Sequence, residues 1–197
     1  LVDFVTENAR STTISNKEAK AQTVEHAMAT FMGRGIDNLI IEIDASEPPI
    51  GDGSSRFYNR LIDQAGICEQ EAPREYIRLN SPLELISGET MMHAFPYDGL
   101  KLTCTSVDRR GRFTQFHTMD ITGSTWSELA DARTFCFYEE IEALIRNGLI
   151  KGGSLENAVV IRDDAVLTIE PLRYPNEFVR HKMLDILPIR RCQYRLS

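Results

Sequence analysis

The chain has 197 residues, of which 42% are hydrophobic and 26% are charged, and its formal net charge is −7. This length is enough for one large domain or two small ones. The negative charge argues against a protein that binds nucleic acid through many phosphates, and no apolar run approaches the roughly 18 residues of a membrane span, so we expect neither nucleic-acid binding nor stable membrane insertion.

Cysteine usage and the first residues bear on the compartment. The four cysteines are scattered without a CxxC pair, and the start of the chain shows no basic segment followed by an apolar one. This pattern favours reduced thiols over a disulfide framework and indicates no secretory signal. We therefore expect a cytoplasmic protein, and we expect it to be a monomer.

The first part of the chain predicts a helix, a strand, a turn and a second helix. Apolar residues recur at helical spacing from Thr23, a predicted N-cap, to a stop at Gly33 or Gly35. NLIIEI (38–43) predicts a buried strand, and a second amphipathic helix follows within 54–66. The predicted inward face of the second helix consists of Phe57, Leu61, Ile62 and Ala65.

The later part of the chain predicts an antiparallel sheet followed by mixed elements. Five short segments are rich in β-branched and aromatic residues. They are EYIRL (75–79), LELI (83–86), TMMHAF (90–95), LKLTCTSV (100–107) and RFTQFH (112–117). A helix over Tyr138–Asn147 is predicted to bury Ile141, Leu144 and Ile145 and to be followed by Gly148 as its cap.

Two strands and a last helix complete the predicted elements. AVVI (158–161) and AVLTI (165–169) predict strands, and Asn176 is a predicted cap of a helix that buries Phe178, Met183 and Leu184. The simplest architecture is α+β, with two tandem units of a sheet and a helix pair, spanning 1–70 and 71–197.

His181 and Asp185 lie four residues apart on the predicted last helix, so both side chains project from one helix face. An imidazole nitrogen and a carboxylate oxygen are ligands that suit zinc. The same spacing is more common in hydrogen-bonded or solvated pairs, and a metal site would need a third ligand from elsewhere. Both interpretations stay open on this spacing alone.

His26 falls in the first turn of the predicted first helix, directly after Glu25. A carboxylate next to a metal ligand could act as general base toward a zinc-bound water. The alternative is an ordinary acidic first-turn residue beside an incidental histidine, since helix N-termini favour negative charge. His93 and His117 lie in predicted strands, where exposed or hydrogen-bonded histidines are common.

Five ordered blocks are spread over most of the chain. They are QTVEHAM (22–28), EPPIGDGS (47–54), ARTFCF (132–137), GLIKGGSLENAVV (148–160) and NEFVRHKMLD (176–185). Together they resemble the zinc-dependent UDP-3-O-acyl-N-acetylglucosamine deacetylases, which carry out the committed step of lipid A biosynthesis. The resemblance implies a cytoplasmic enzyme with two similar α+β domains packed face to face.

Carried over residue by residue, the resemblance implies a zinc site with one position open for water. Its ligands would be His26, His181 and Asp185, and Glu25 would be the general base. Thr134 resembles the threonine whose hydroxyl helps to hold the oxyanion.

The resemblance also implies how the substrate is bound. Phe135 resembles the aromatic residue near the uracil of the substrate, and Lys182 resembles the lysine that contacts its polar part. The GLIKGGS segment resembles the entry to an inserted strand–helix–strand piece that forms a hydrophobic passage for the acyl chain. The residues expected to line this passage are Leu149, Leu155, Ala158 and Val160.

The resemblance does not extend over the whole family pattern. It begins part-way into the first domain, without the opening strands, and it does not reach a downstream Gly-His-x-Leu-Asn motif whose histidine protonates the departing amine. Pro188 is expected to end the last helix, and the following tail departs from the family. We therefore expect both domains to be incomplete, which leaves two hypotheses: a zinc-dependent deacetylase, or a truncated homologue that binds zinc or a nucleotide-sugar lipid without turnover.

Overall fold

The computed structural model describes residues 5–7, 11–16, 19–108, 111 and 113–187. The helices are α1 (Glu25–Gly33), α2 (Arg56–Ala65), α3 (Trp126–Ala130), α4 (Tyr138–Arg146) and α5 (Glu177–Ile186). The strands are β1 (Val5–Glu7), β2 (Thr13–Ser15), β3 (Lys20–Ala21), β4 (Leu83–Ser87), β5 (Thr90–Ala94), β6 (Lys101–Val107), β7 (Thr114–Asp120), β8 (Phe135–Phe137), β9 (Val159–Arg162) and β10 (Ala165–Leu167). The predicted α+β class is confirmed, whereas the division into two tandem domains stays a prediction. Among the described helices, none has both the length and the apolar character to cross a membrane.

Within the described part of the chain, the strands form four small sheets. Strands β1, β2 and β3 form one antiparallel sheet, and β4 with β5 and β6 with β7 form two separate hairpins. In the fourth sheet β8 runs parallel to β9, which pairs antiparallel with β10, so α4 is the crossover of a βαβ unit. The prediction of a single antiparallel sheet over residues 75–117 was therefore wrong, because its strands pair only within each hairpin and EYIRL forms no strand.

Two predictions in the first part of the chain were also wrong. NLIIEI (38–43) forms no strand and is exposed, with Ile40 89% accessible, because no described strand pairs with this segment to bury it. Helix α2 forms as expected, but its buried residue is Tyr58, whose hydroxyl donates to the Pro49 carbonyl. Leu61, on the predicted inward face, is 47% exposed.

The beginning of α1 and the end of α4 lie within one residue of the positions expected from the sequence. Helix α1 begins one residue later than expected, with Val24 at its N-cap, and Thr23 lies just outside the helix with a left-handed φ of 54°. Gly148 follows α4 with φ 72° and donates its N–H to the Ile145 carbonyl, as its predicted role as a cap requires. The predicted helix end at Pro188 lies outside the described residues.

The inward face of α4 was only partly as predicted. Leu144 is buried, whereas Ile145 is 60% exposed. In α5 the predicted inward residues Phe178, Met183 and Leu184 are all buried. Asn176 stands at the N-cap of α5, but its side-chain oxygen accepts from Arg180 Nε and caps no backbone N–H.

Helix α5 is the centre of the packed core. It packs against α1, α3, β6 and β7. The main cluster of buried apolar side chains joins the three helices and consists of Ala29, Trp126, Leu129, Ala130, Met183, Leu184 and Leu187. Close approach of α3 to the end of α1 requires Gly33, because a Cβ there would lie 2.1 Å from the Trp126 ring. Helices α1 and α5 contact each other and both contribute to this cluster.

Candidate metal centre

Three potential metal ligands meet where α1 faces α5. His26 comes from α1, and His181 and Asp185 come from successive turns of α5. The Nε2 atoms of the two histidines are 3.3 Å apart, and His181 Nε2 is 3.5 Å from Asp185 Oδ1. One donor atom from each residue lies within 4.8 Å of the others, and the described residues contain no second group of this kind. The structure thus brings together the three side chains that the sequence analysis singled out as ligands.

His181 is held in one tautomer. Its side chain is buried, and its Nδ1 lies 3.0 Å from the carbonyl oxygen of Ala132. A carbonyl oxygen can only accept, so Nδ1 carries the proton and donates. Burial lowers the pKa of His181, which keeps the ring neutral near pH 7. Its Nε2 lone pair therefore points toward His26 and Asp185.

His26 is neutral for the same physical reason. Burial, reinforced by the nearby His181, lowers the pKa of His26 to about 3. Its main-chain carbonyl accepts hydrogen bonds from Thr30 Oγ1 at 2.8 Å and Ser55 Oγ at 2.9 Å. These contacts fix the first turn of α1, so the imidazole is presented from a rigid backbone.

Asp185 supplies the oxygen donor. Its Oδ2 accepts from Lys182 Nζ at 3.0 Å, but its Oδ1 is buried and has no hydrogen-bond partner. Burial by itself would raise the pKa of Asp185, but the neighbouring His181 and Lys182 lower it below its ordinary value. A buried carboxylate oxygen left without a partner is costly unless a cation or donor satisfies it. Two imidazole nitrogens and one carboxylate oxygen are a donor set that suits zinc, so the residues present fit a zinc ion.

Glu25 lies beside the cluster and is buried. Its Oε2 accepts from the backbone N–H of Thr12 at 2.9 Å. Burial raises the pKa of Glu25 to about 7, only partly opposed by this hydrogen bond. A carboxylate whose pKa lies near neutral pH has the property that general acid–base chemistry requires.

Lys182 and Phe135 form the outer side of the site. Lys182 is exposed, and its Nζ lies 5.4 Å from the centroid of the Phe135 ring. The ring of Phe135 in turn packs against Phe178 of α5, with 4.8 Å between the centroids.

Thr134 is half-buried, and its backbone N–H donates to the Gly53 carbonyl at 2.7 Å. Thr134 lies two residues after Ala132, whose carbonyl oxygen contacts His181 Nδ1.

The four residues predicted to line an acyl passage differ widely in burial. Leu149 and Leu155 are 38% and 41% exposed, Ala158 is half-buried, and Val160 is only 8% exposed. Leu155 borders a cavity of about 150 Å³, whose other lining residues are Arg133, Glu156, Ile169, Glu170 and Arg173. None of the other three predicted residues lines this cavity, so the structure does not gather the four around it.

Two features of the candidate site were not predicted from the sequence. Ala132 contacts His181 through its main chain, which no side-chain pattern reveals. Glu177 lies one turn before His181 and forms a buried ion pair with Arg133, with 2.8 Å between Oε1 and Nε. The four-residue spacing of Glu177 and His181 was a usable signal, since it puts both on one helix face.

Comparison with known proteins identifies the family. A family model described as LpxC, UDP-3-O-acyl N-acetylglycosamine deacetylase, matches residues 1–188. The chain is 42% identical over 190 residues to the UDP-3-O-acyl-N-acetylglucosamine deacetylase of Chlamydia abortus, an alignment that covers 95% of this chain and 68% of that protein. For the proteins of the same name from Chlamydia pneumoniae and Myxococcus xanthus, the identities are 43% and 37%, again over 95% of this chain, and the coverage of those proteins is 67% and 60%. The chain belongs to the UDP-3-O-acyl-N-acetylglucosamine deacetylase family.

Proposed function

We propose that the chain carries the zinc site of a hydrolase that removes the acetyl group of UDP-3-O-acyl-N-acetylglucosamine. The products would be acetate and UDP-3-O-acyl-glucosamine, and the reaction would be a cytoplasmic step of lipid A biosynthesis. The observation that carries the proposal is the convergence of His26, His181 and Asp185, with the Asp185 oxygen left unpartnered, in a member of a family named for this deacetylation.

The three clustered side chains would hold the metal. Three protein ligands leave one coordination position open, as catalytic zinc sites do. When bound, zinc supplies Lewis acidity, which polarises the acetamide carbonyl and lowers the pKa of water toward about 7. Because both rings are neutral near pH 7, neither His26 nor His181 has to lose an imidazolium proton before it binds the metal.

Glu25 is the proposed general base. It is the residue next to His26, and its pKa of about 7 allows it to accept a proton from the attacking water and to release that proton later. Thr134 is the proposed donor to the oxyanion that develops on the carbonyl. Its backbone N–H donates to Gly53 and its backbone carbonyl accepts from Val159, so its position is fixed on both sides.

The remaining predicted residues are proposed to bind the substrate. Lys182 would contact the polar part of the sugar nucleotide and Phe135 would pack near the uracil, since the two side chains already lie against each other at the surface. The residues proposed to contact the acyl chain are Leu149, Leu155, Ala158 and Val160.

The test is a deacetylation assay with UDP-3-O-acyl-N-acetylglucosamine, with zinc content measured on the same sample. Glu25→Gln is nearly isosteric and leaves all three ligands in place, so we expect it to bind zinc while the rate falls by about 10² to 10⁴-fold. His93→Ala is the matched control, because His93 is exposed and lies in β5, outside the cluster. Equal rates for Glu25→Gln and the parent chain would contradict the base assignment. One zinc per chain without turnover in the parent would favour binding without hydrolysis.

A further inference from the structure

One peptide group behind the metal centre is held from both ends by α5. Its carbonyl, on Ala132, accepts from His181 Nδ1 at 3.0 Å. Its N–H, on Arg133, donates to Glu177 Oε1 at 2.9 Å. Because Glu177 and His181 are four residues apart, they lie on one face of α5 and reach the same peptide group.

Glu177 is fully buried, and both of its carboxylate oxygens accept hydrogen bonds. Its Oε1 also accepts from Arg133 Nε at 2.8 Å, and its Oε2 accepts from Arg133 Nη2 at 3.2 Å and from the backbone N–H of Arg173 at 2.7 Å. Burial would raise the pKa of Glu177, but these hydrogen bonds outweigh it and hold the pKa below the ordinary value. A charged carboxylate therefore always faces the peptide N–H near neutral pH.

We propose that Glu177 is a positioning residue for the metal centre, acting on His181 through the Ala132–Arg133 peptide group. A carboxylate that accepts from the N–H polarises the peptide and makes its carbonyl a stronger acceptor. The stronger acceptor holds the His181 ring with its proton on Nδ1, which leaves the Nε2 lone pair aimed at the metal position. This is the same effect as a carboxylate bound directly to a ligating histidine, relayed here by one peptide group.

The surrounding segment is anchored independently of Glu177. The N–H of Thr134 donates to the Gly53 carbonyl at 2.7 Å, and the Thr134 carbonyl accepts from the N–H of Val159 at 2.9 Å. These bonds remain when the Glu177 carboxylate is replaced. Loss of the carboxylate should therefore change the hydrogen bond to His181 without displacing the whole segment.

The proposal deepens the proposed function and rests on it, so the first measurement uses the metal-free chain. In ¹⁵N-histidine NMR spectra, the parent chain should show His181 protonated at Nδ1. In Glu177→Gln the side-chain amide has one acceptor oxygen for the four N–H donors that the carboxylate binds. We therefore expect the His181 signals to shift toward a mixture of the Nδ1 and Nε2 tautomers. The zinc dissociation constant should rise by about 10 to 100-fold, as for other residues that orient a ligand.

Two controls separate positioning from general destabilisation. Thr168→Val removes the 3.0 Å bond from Arg133 Nη1 to Thr168 Oγ1 in the same network without touching the peptide group. Leu144→Ala weakens the core of α4, away from the site. Both should keep the parent tautomer and zinc affinity even if their melting temperatures fall.

The outcomes decide the proposal in either direction. An unchanged tautomer and an unchanged zinc affinity in Glu177→Gln would overturn it, as would equal shifts in Leu144→Ala. If Glu177→Gln does not fold, Glu177→Asp gives the same measurement, because it keeps the charge but is one methylene too short for all four bonds. A parent chain that binds no zinc would contradict the proposed function, whereas the metal-free tautomer would still decide the role of Glu177.

Discussion

Zinc binding should raise the melting temperature of the chain, and removal of the Asp185 carboxylate should abolish most of that rise. A ligand at 100 times its dissociation constant stabilises the folded state by about 2.7 kcal/mol. For a chain of 150 to 250 residues each kcal/mol shifts the melting temperature by about 2–4 °C, so we expect a rise of about 5–11 °C. The buried Asp185 Oδ1 has no hydrogen-bond partner, and a bound cation would satisfy it.

In Asp185→Ala the zinc-induced rise should nearly vanish. Loss of a ligand should weaken binding at least as much as loss of a residue that orients one, so we take about 100-fold. The same zinc concentration then equals the dissociation constant and stabilises by only about 0.4 kcal/mol, or about 1–2 °C. Differential scanning fluorimetry at several zinc concentrations measures both values.

The control for this experiment is His93→Ala, which removes one exposed histidine that zinc could bind non-specifically. It should keep the full rise of the parent chain. Equal rises in Asp185→Ala and His93→Ala would refute the reasoning, because they would show that zinc does not act through the cluster.

Three further predictions concern stability. Hydrogen bonds lower the pKa of Glu177 in the folded state, so its contribution to the free energy of unfolding is present above the ordinary pKa of 4.5 and is lost as the pH falls through the lowered value. Denaturant titrations at several pH values should show this loss of stability in acid, and Glu177→Gln should reduce it. Gly53→Ala should lower the free energy of unfolding by at least about 1–3 kcal/mol, because φ is 81° and a Cβ would lie 2.0 Å from the main-chain oxygen of Asn157. Gly123→Ala is the control and should be nearly neutral, because the space around Gly123 is open. Leu129→Ala should cost about 2–5 kcal/mol in chemical unfolding because Leu129 is fully buried, and the exposed Leu85→Ala should cost little, so similar losses would contradict the assigned core.

Elements specified by nearby residues could be predicted from the sequence. The last helix was predicted from its periodic apolar residues, and α4 was predicted together with the glycine that follows it. The pairing of His181 with Asp185 follows from helical spacing alone. Their meeting with His26 does not, because it depends on how α1 packs against α5, and only the family resemblance indicated it.

Elements that depend on distant partners could not be predicted. NLIIEI has the composition of a buried strand, but strand formation needs a neighbouring strand, and none of the described strands pairs with it. Glu177 and Arg133 are 44 residues apart and look like ordinary surface charges in the sequence. Only the fold shows that both are buried and that their pairing contacts the backbone beside His181.

The two histidines that face each other are separated by 155 residues along the chain, so they can meet only after a very long loop has closed. For a flexible chain, closing a loop of this length costs about 4.5 kcal/mol of chain entropy, so we expect the contact to form late in folding. A metal bound there would therefore increase the kinetic stability of the folded chain. We expect its coordination bonds to form after the transition state, so zinc should slow unfolding while leaving the folding rate nearly unchanged.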